Sequence, residues 1–419
     1  MDCRSRRDVL RTVGGLAAVG AAGCGSLPAT GGDERIDDDG VPPSETATTQ
    51  FRGGLRRRGV FPEARVPGSV ETAWSLPELN TGDHTAAKAS PMALPSGDVL
   101  VAGDTGELHR LGPDGTVAWT ASVADTTRGI HGTPAVANGA AYIGAYDGAL
   151  SAIDVETGDR FWRMDLGDAI GSSPAYHDGT VYVAVEYSAP SGAMFGLDAV
   201  TGDIVWEDGR PTDHPHSTCA IDRTAGRLVV GSNDGNCYAW SYPDLEREWV
   251  FETDGAIKGP VATADGSAFF GSWDDHVYRV ALGDGREEWA VETGSLVMSG
   301  PAVDAEAGVV YVGSHDSRLY ALDMESGEPQ WRYDTGGRLI GCPTVTAEHV
   351  LVGSHDGHCY AVERDSGRGA WRVAAGGNVS STPLVVDGAV YVADRATEAY
   401  LDGGDGAAGR LYKLVAEGG

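Results

Sequence analysis

Seven tryptophans recur at nearly constant spacing, and this repeat constrains the fold more than any other feature of the sequence. Successive members lie 40 to 44 residues apart, at Trp119, Trp162, Trp206, Trp249, Trp289, Trp331 and Trp371. Each tryptophan closes a unit of alternating apolar and polar residues, such as Val309–Ser314 and Arg318–Asp323. Because side chains of a strand point alternately to its two faces, this period of two predicts half-buried β-strands.

Turn residues divide each unit into short strands. Asp147-Gly148, Asp234-Gly235 and Asp356-Gly357 are typical of two-residue hairpin turns, which need positive φ angles. Four short strands in each unit of about 40 to 45 residues are typical of β-propeller blades. The sequence therefore predicts an all-β fold, an eight-bladed propeller of four-stranded blades with tryptophans packed between neighbouring blades.

The eighth unit begins near Ser381 and lacks a tryptophan strand, since its third strand is predicted at Arg410–Ala416, close to the last residue. Conversely, Trp74 lies in a segment, residues 69–77, that belongs to no complete unit. We expect this N-terminal strand to complete the last blade and close the ring, because closure removes exposed sheet edges.

The first residues are typical of an export signal. Arg6 and Arg7 precede a short apolar run, Val13–Ala22, that is too short to span a bilayer. The arginine pair resembles a twin-arginine signal, and "AAGC" resembles a lipobox. Residues 1–23 are therefore predicted to be a lipoprotein signal peptide, with Cys24 as the lipid anchor; cleavage without lipidation is the alternative.

Residues 24–66 are predicted to form an acidic flexible tether, because small residues, proline and acids dominate them. Phe and Val return in residues 50–67, which we expect to lie against the folded domain. The propeller is predicted to comprise residues 67–419.

Acidic residues outnumber basic ones by 61 to 31, and the formal net charge is -30. Such a surface repels nucleic acid and resembles the surfaces of halophilic proteins. An acidic funnel for a cationic substrate is a weaker alternative, because the charge is spread over the whole chain. Together with the signal, these features predict an exported monomer on the outer face of the cytoplasmic membrane.

A recurring signature, A-x-D-x-x-[TS]-G-x-x-x-W, is matched by Ala152–Trp162 and Ala321–Trp331 and nearly by Gly196–Trp206. It resembles the PQQ-like (pyrroloquinoline quinone) repeat, and Phe51–Gly59 ("FRGGLRRRG") resembles a segment often found ahead of such propellers. The resemblance covers about residues 50–419. It implies the propeller fold shared by quinoprotein dehydrogenases and BamB-like lipoprotein scaffolds.

In quinoprotein dehydrogenases, the resemblance implies a PQQ held between a tryptophan and, in many members, a disulfide of adjacent cysteines. A Ca²⁺ ion bound by Glu, Asn and Asp and a catalytic Asp complete such a site. This chain has no adjacent cysteine pair and lacks long insertions. We therefore expect no cofactor, neither PQQ nor Ca²⁺, and no catalytic residues.

In five units, the residue directly before the turn aspartate varies, while the residues around it stay nearly the same. This position is occupied by Tyr146, Asn233, Trp273, His315 and His355. The loops between blades, which share that side of a propeller, carry His131, Lys258, Met298, Arg338 and Asn378. Aromatic and polar residues in a fixed frame indicate a candidate binding rim, although loop tips also tolerate variation.

Four cysteines lie in the predicted propeller, at Cys219, Cys237, Cys342 and Cys359. An exported chain permits disulfides, but the first and third strands of a blade are not neighbours, so buried free thiols are favoured. No metal site is predicted, because neither Asp213–His216 ("DHPH") nor the cluster around Cys359 has a standard zinc spacing.

The main functional prediction is a non-enzymatic, lipid-anchored scaffold that binds an unknown protein or ligand at the rim. A PQQ-dependent oxidoreductase is the alternative, and a glycan- or cell-wall-binding module is the third hypothesis.

Overall fold

The computed structural model describes residues 50–81, 89–124, 128–403 and 405–418. Its strands form eight antiparallel sheets. In seven of them, hydrogen-bonded neighbours follow one another along the chain, and the eighth also includes the N-terminal strand. The predicted all-β, eight-bladed propeller is therefore confirmed. Blades are numbered here by the order of their first strands.

The first four blades have the following strands. Blade 1 contains Met92–Ala93, Val99–Ala102, Glu107–Leu111 and Val117–Ser122; blade 2 contains Ala135–Ala137, Ala140–Gly144, Ala149–Asp154 and Arg160–Asp165; blade 3 contains Ala175–His177, Thr180–Glu186, Gly192–Asp198 and Ile204–Asp208; blade 4 contains Ala220–Asp222, Arg227–Gly231, Asn236–Ser241 and Arg247–Glu252.

The remaining blades follow the same plan. Blade 5 contains Ala262–Ala264, Ser267–Gly271, His276–Ala281 and Glu287–Glu292; blade 6 contains Ala302–Asp304, Val309–Gly313, Arg318–Asp323 and Pro329–Asp334; blade 7 contains Thr344–Val345, His349–Ser354, His358–Glu363 and Gly369–Ala374; blade 8 contains Leu384–Val386, Ala389–Arg395, Gly409–Ala416 and the N-terminal strand Val70–Asn80, with Asn378–Val379 paired to its second strand. A short helix, Glu398–Leu401, interrupts blade 8.

The ring closes as the sequence predicts. Val70–Asn80 pairs antiparallel with Gly409–Ala416, and Trp74 lies opposite Lys413. The first strand of the described chain thus completes the blade built from its last residues. No described helix is long and apolar enough to cross a membrane.

The repeated Gly and Trp of the signature meet across neighbouring blades. The Trp162 indole N–H donates to the Ala199 carbonyl of the next blade at 3.0 Å. A Cβ on Gly202 would stand 2.8 Å from the Trp162 ring. The glycine is therefore required by close approach as well as by its φ of 75°.

Blade 4 departs from this arrangement. Leu245, with a φ of 58°, stands where the signature has glycine. Trp206, which faces this blade, packs edge-on against Trp240 with ring centroids 5.7 Å apart. A second tryptophan thus takes over the packing that the glycine turn provides elsewhere.

Residues 50–66, which were assigned to the tether but expected to lie against the folded domain, pack into the propeller. The Leu55 carbonyl accepts a hydrogen bond from Ile221 of blade 4, and the Gly59 carbonyl accepts one from Val345 of blade 7. Arg52 and Arg57 are buried. The described end of the predicted tether is therefore part of the folded domain, which extends to Gln50 rather than starting at residue 67.

The two buried arginines bind main-chain carbonyls of several blades. Arg52 donates to the carbonyls of Gly300 and Pro301 at 2.6 and 2.5 Å. Arg57 donates to the carbonyls of Pro174 and Cys219 at 2.9 and 3.1 Å. These bonds satisfy backbone groups at the centre of the ring, where strands have no further neighbour.

The four cysteines of the described residues are buried and unpaired. Burial raises the pKa of Cys219 to about 11 and that of Cys359 to about 12. They therefore pack as small apolar side chains, which agrees with the favoured prediction of free thiols.

Candidate functional site

One side chain per blade, at the turn between the second and third strands, surrounds a mouth of the central channel. The strand pairing makes eight positions equivalent: Asp104, Tyr146, Glu186, Asn233, Trp273, His315, His355 and Arg395. We call these residues the funnel ring. Backbone bonds fasten ring turns to the adjacent interblade loops, as from the N–H of His355 to the Arg338 carbonyl at 3.0 Å.

The interblade loops line the channel just inside the ring. His131, His216, Lys258 and Met298 contribute side chains from blades 2, 4, 5 and 6. Arg338 lies on the blade 7 loop, but Ile340 takes the lining position there. The structure thus brings all eight residues of the predicted rim to one mouth of the propeller.

Four residues of this mouth were missed by the sequence prediction. Asp104, Glu186 and Arg395 belong to the ring, but the aspartate that follows the ring position in the five predicted blades is absent after them. His216 was assessed only as part of a possible metal motif. Counting positions forward from each first strand would have found the three ring residues, because the strand register is the same in all blades.

An acid–base pair lies between blades 3 and 4. His216 Nδ1 is 2.7 Å from Glu186 Oε1, and the Tyr146 hydroxyl lies 3.3 Å from the same nitrogen. Glu186 and His216 are both about 8% exposed. Burial by itself would raise the pKa of Glu186, but His216 outweighs it, and the pKa is lowered overall. Glu186 is therefore an ionised acceptor for the imidazole.

His131 extends this cluster toward blade 2. Its ring centroid lies 4.1 Å from that of Tyr146. Burial raises the pKa of Tyr146 well above its usual value, with the Glu186 charge adding to the effect. Tyr146 therefore remains a neutral hydroxyl that can donate or accept a hydrogen bond.

A cation and an aromatic ring lie together on blade 5. Lys258 Nζ is 4.1 Å from the centroid of the Trp273 ring, which is 37% exposed. Burial lowers the pKa of Lys258, while Glu186 and Asp213 act in the opposite direction. The pair gives the funnel a positive charge beside an accessible aromatic surface.

Basic side chains cluster on blades 6 to 8. Arg338 Nε donates to His355 Nδ1 at 3.2 Å. The pKa of His355 is lowered to about 3, first by burial and then by Arg338, Arg395 and His315. Burial also lowers the pKa of Arg395 to about 10, although Asp104 opposes the shift. We call His315, Arg338, His355 and Arg395 the basic arc.

The channel beneath the funnel is narrow. Its volume is about 30 Å³, and Phe51 of the N-terminal segment lines it. A space of this size holds one or two water molecules. A larger ligand would therefore not fit inside it.

The comparisons with known proteins agree with the fold. The profile of a family described as outer membrane protein assembly factor BamB, PQQ_2, matches three overlapping stretches, residues 67–291, 213–337 and 274–417. The chain belongs to this family of PQQ-like repeat β-propellers. Members share the blade signature, which accounts for the repeated match along the chain.

The relatives of this BamB-family propeller divide between two functions. It is 27% identical over 192 residues to 1-butanol dehydrogenase (cytochrome c) of Thauera butanivorans, covering 41% of this chain and 27% of that protein. It is 27% identical over 224 residues to the BamB of Yersinia pestis, covering 48% of this chain and 56% of that protein. The matches therefore span less than two thirds of either relative.

Among solved structures, the quinohemoprotein alcohol dehydrogenase of Comamonas testosteroni superposes with a TM-score of 0.75 at 15% identity. The superposition covers 92% of this chain and 83% of that chain. At this identity the likeness establishes the shared fold.

These relatives contradict two of the sequence predictions. The non-enzymatic scaffold and the absence of a cofactor are both wrong as main hypotheses, because sequence similarity to alcohol dehydrogenases, among them the quinohemoprotein enzyme of Comamonas testosteroni at 27% identity over 194 residues, favours the oxidoreductase alternative. The adjacent-cysteine criterion was too narrow. It tested only for the disulfide that packs against the quinone in many quinoprotein dehydrogenases. The ring side chains that could bind a ligand here come from turns of eight separate blades.

The residues of blades 4 and 5 fit a planar, anionic quinone such as PQQ. Trp273 offers an aromatic face and Lys258 a positive charge. Asn233 Oδ1 is buried and has no hydrogen-bond partner among the described residues. For a metal the fit is absent: in the described parts of the chain, no three His, Cys, Asp or Glu side chains cluster closely enough to hold an ion.

Proposed function

We propose that this propeller is a quinone-dependent oxidoreductase that oxidises a small alcohol in the funnel. The observation that carries the proposal is the buried Glu186–His216 pair at the same mouth as Lys258 and Trp273. A proton acceptor and a positive charge thus share one cavity, because His216 and Lys258 both line it. The alcohol dehydrogenases among its relatives support the same class of reaction.

Trp273, Lys258 and Asn233 would hold the quinone. Trp273 would stack on it, Lys258 would neutralise a carboxylate, and the Asn233 amide oxygen would accept a hydrogen bond. When bound, the quinone supplies a two-electron acceptor for the hydrogen of the alcohol carbon.

His216 is the base in this proposal. Its Nδ1–H donates to the ionised Glu186 carboxylate, which leaves Nε2 as the nitrogen that accepts the hydroxyl proton of the alcohol. The Glu186 charge then stabilises the imidazolium that forms. Tyr146, which contacts Nδ1, keeps the imidazole ring in place.

Water and substrate reach the site from one side in this proposal. Phe51 lines the channel beneath the funnel, and the N-terminal segment is bonded to first strands of blades 3 to 7 around it. The substrate therefore enters through the funnel, where the ring residues select it.

The cellular setting remains part of the proposal. Residues 1–49, including Arg6, Arg7 and Cys24, lie outside the described residues. We propose export through the twin-arginine-type signal and anchoring to the outer face of the cytoplasmic membrane by a lipid on Cys24. The acidic composition supports use of the protein at high salt.

The proposal is tested by titrating the mature domain with PQQ while monitoring tryptophan fluorescence, followed by a dye-linked assay with short alcohols. We expect saturable quenching that Trp273→Phe largely removes, and turnover that depends on added quinone. Absence of quenching in the wild-type protein, with the fold intact by circular dichroism, would contradict the proposal.

A further inference from the structure

The basic arc lies across the funnel from the pair proposed to remove the proton, and the proposed reaction leaves it unused. Arg338 is exposed and forms no ion pair within the described part of the chain. In a protein with a net charge of -30, this arginine places an uncompensated positive charge at the channel mouth, where an anionic ligand could use it.

The hydrogen bond between Arg338 and His355 determines which imidazole nitrogen carries the proton. An arginine N–H can only donate, so His355 Nδ1 accepts and the proton of the neutral ring is on Nε2. The Nε2 atom is buried and has no hydrogen-bond partner among the described residues. The bond therefore determines the tautomer of His355 and the orientation of the Arg338 guanidinium.

The charges of the arc match a single negative charge. Arg395 is buried, and Asp104 offsets its charge. His355 is neutral near pH 7, because burial and the neighbouring cations hold its pKa at about 3. Arg338 is the one permanently charged residue of the arc whose charge is not offset, which favours a monoanion over a dianion.

We propose that the basic arc is a carboxylate subsite, and that the alcohol oxidised in the funnel is a hydroxy acid. The carboxylate accepts from the terminal N–H groups of the Arg338 guanidinium, which the bond from its Nε–H to His355 Nδ1 holds in place. This inference rests on the proposed oxidoreductase function, but the subsite can be measured without any turnover.

Two isosteric probes separate charge from shape in the absence of quinone. We expect glycolate to bind in calorimetric titrations at constant ionic strength and the neutral glycolamide to bind at least about tenfold more weakly, since a hydrogen bond to a charged group is worth roughly 1.5–3 kcal/mol. Equal binding of the two probes would overturn the proposal. Tighter binding of inorganic phosphate than of glycolate would overturn the assignment to a carboxylate.

Matched variants locate the binding site. Arg338→Gln should weaken glycolate binding about tenfold or more, and His355→Phe should weaken it as well. Arg332→Gln removes the same charge from an exposed position on the fourth strand of blade 6 and should leave binding unchanged. Equal effects of the Arg338 and Arg332 variants would show only general electrostatics and would overturn the subsite.

The same variants distinguish failure of this inference from failure of the proposed function. If Arg338→Gln weakens the PQQ titration and leaves glycolate binding intact, the arc holds the cofactor and the inference is wrong. If PQQ does not bind but glycolate binding depends on Arg338, the proposed oxidoreductase fails and the carboxylate subsite stands.

Discussion

His216 Nδ1 lies 2.7 Å from Glu186 Oε1, although the two residues are 30 positions apart and belong to neighbouring blades. Glu186 ends the second strand of blade 3, and His216 lies in the loop that leads into blade 4. Ring closure presses such loops against the turns of the preceding blade. The pair is therefore a product of the propeller and not of either blade alone.

Removing the Glu186 charge should abolish most of the proposed activity. We expect Glu186→Gln to lower kcat by about 10²–10⁴-fold, the range typical of positioned acid–base groups, because His216 loses its orienting carboxylate. The dye-linked assay with added PQQ measures the effect. Glu348→Gln, at an exposed carboxylate paired with Arg65, is the control; equal losses in both variants would argue against a role for Glu186.

The same pair should make stability depend on pH in one direction. The folded-state pKa of Glu186 is below its usual value of 4.5. Its ionised form therefore adds stability above that pH, and this contribution is lost as the pH falls through the lower folded-state pKa. Denaturant unfolding should show the stability advantage over Glu186→Gln shrinking between neutral pH and acid. An advantage that stays constant over this range would contradict the assigned shift.

The N-terminal segment should contribute strongly to stability. Arg57→Gln leaves the carbonyls of Pro174 and Cys219 without their donor, so we expect a loss of at least about 2 kcal/mol in the free energy of unfolding. Arg65→Gln removes an exposed ion pair and should cost under about 1 kcal/mol. Urea unfolding distinguishes them, and equal stabilities would show that the segment is dispensable.

The glycine–tryptophan contact can be separated from backbone strain. Gly202 and Gly179 have φ angles of 75° and 76°. A Cβ on Gly202 would meet Trp162 at 2.8 Å, whereas a Cβ on Gly179 meets nothing within 4 Å. Gly202→Ala should therefore destabilise the protein by about 1–3 kcal/mol more than Gly179→Ala, the usual cost of overpacking. Thermal and urea unfolding would measure the difference, and equal costs would indicate strain alone.

Much of the fold could be predicted because each blade repeats a local pattern. The period of two, the turn glycines and the tryptophan spacing are properties of short segments, and they determine strands and hairpins wherever the chain places them. Trp74 belongs to no complete unit, and the eighth unit lacks a tryptophan strand. These two observations were enough to predict that the N-terminal strand closes the ring. The positions of the five rim residues that precede a turn aspartate were predictable for the same reason, because the turn sequence that identifies them is local.

What the sequence determined by itself was therefore the repeat, the number of blades and the side of the propeller that varies. The tertiary structure decided the site. Glu186 meets His216, and Arg338 meets His355, only when separate blades close into a ring. The burial of Arg52 and Arg57 also required the closed centre, where carbonyls of several first strands converge on one segment. Contacts between loops far apart in sequence depend on the whole ring, and no local pattern encodes them.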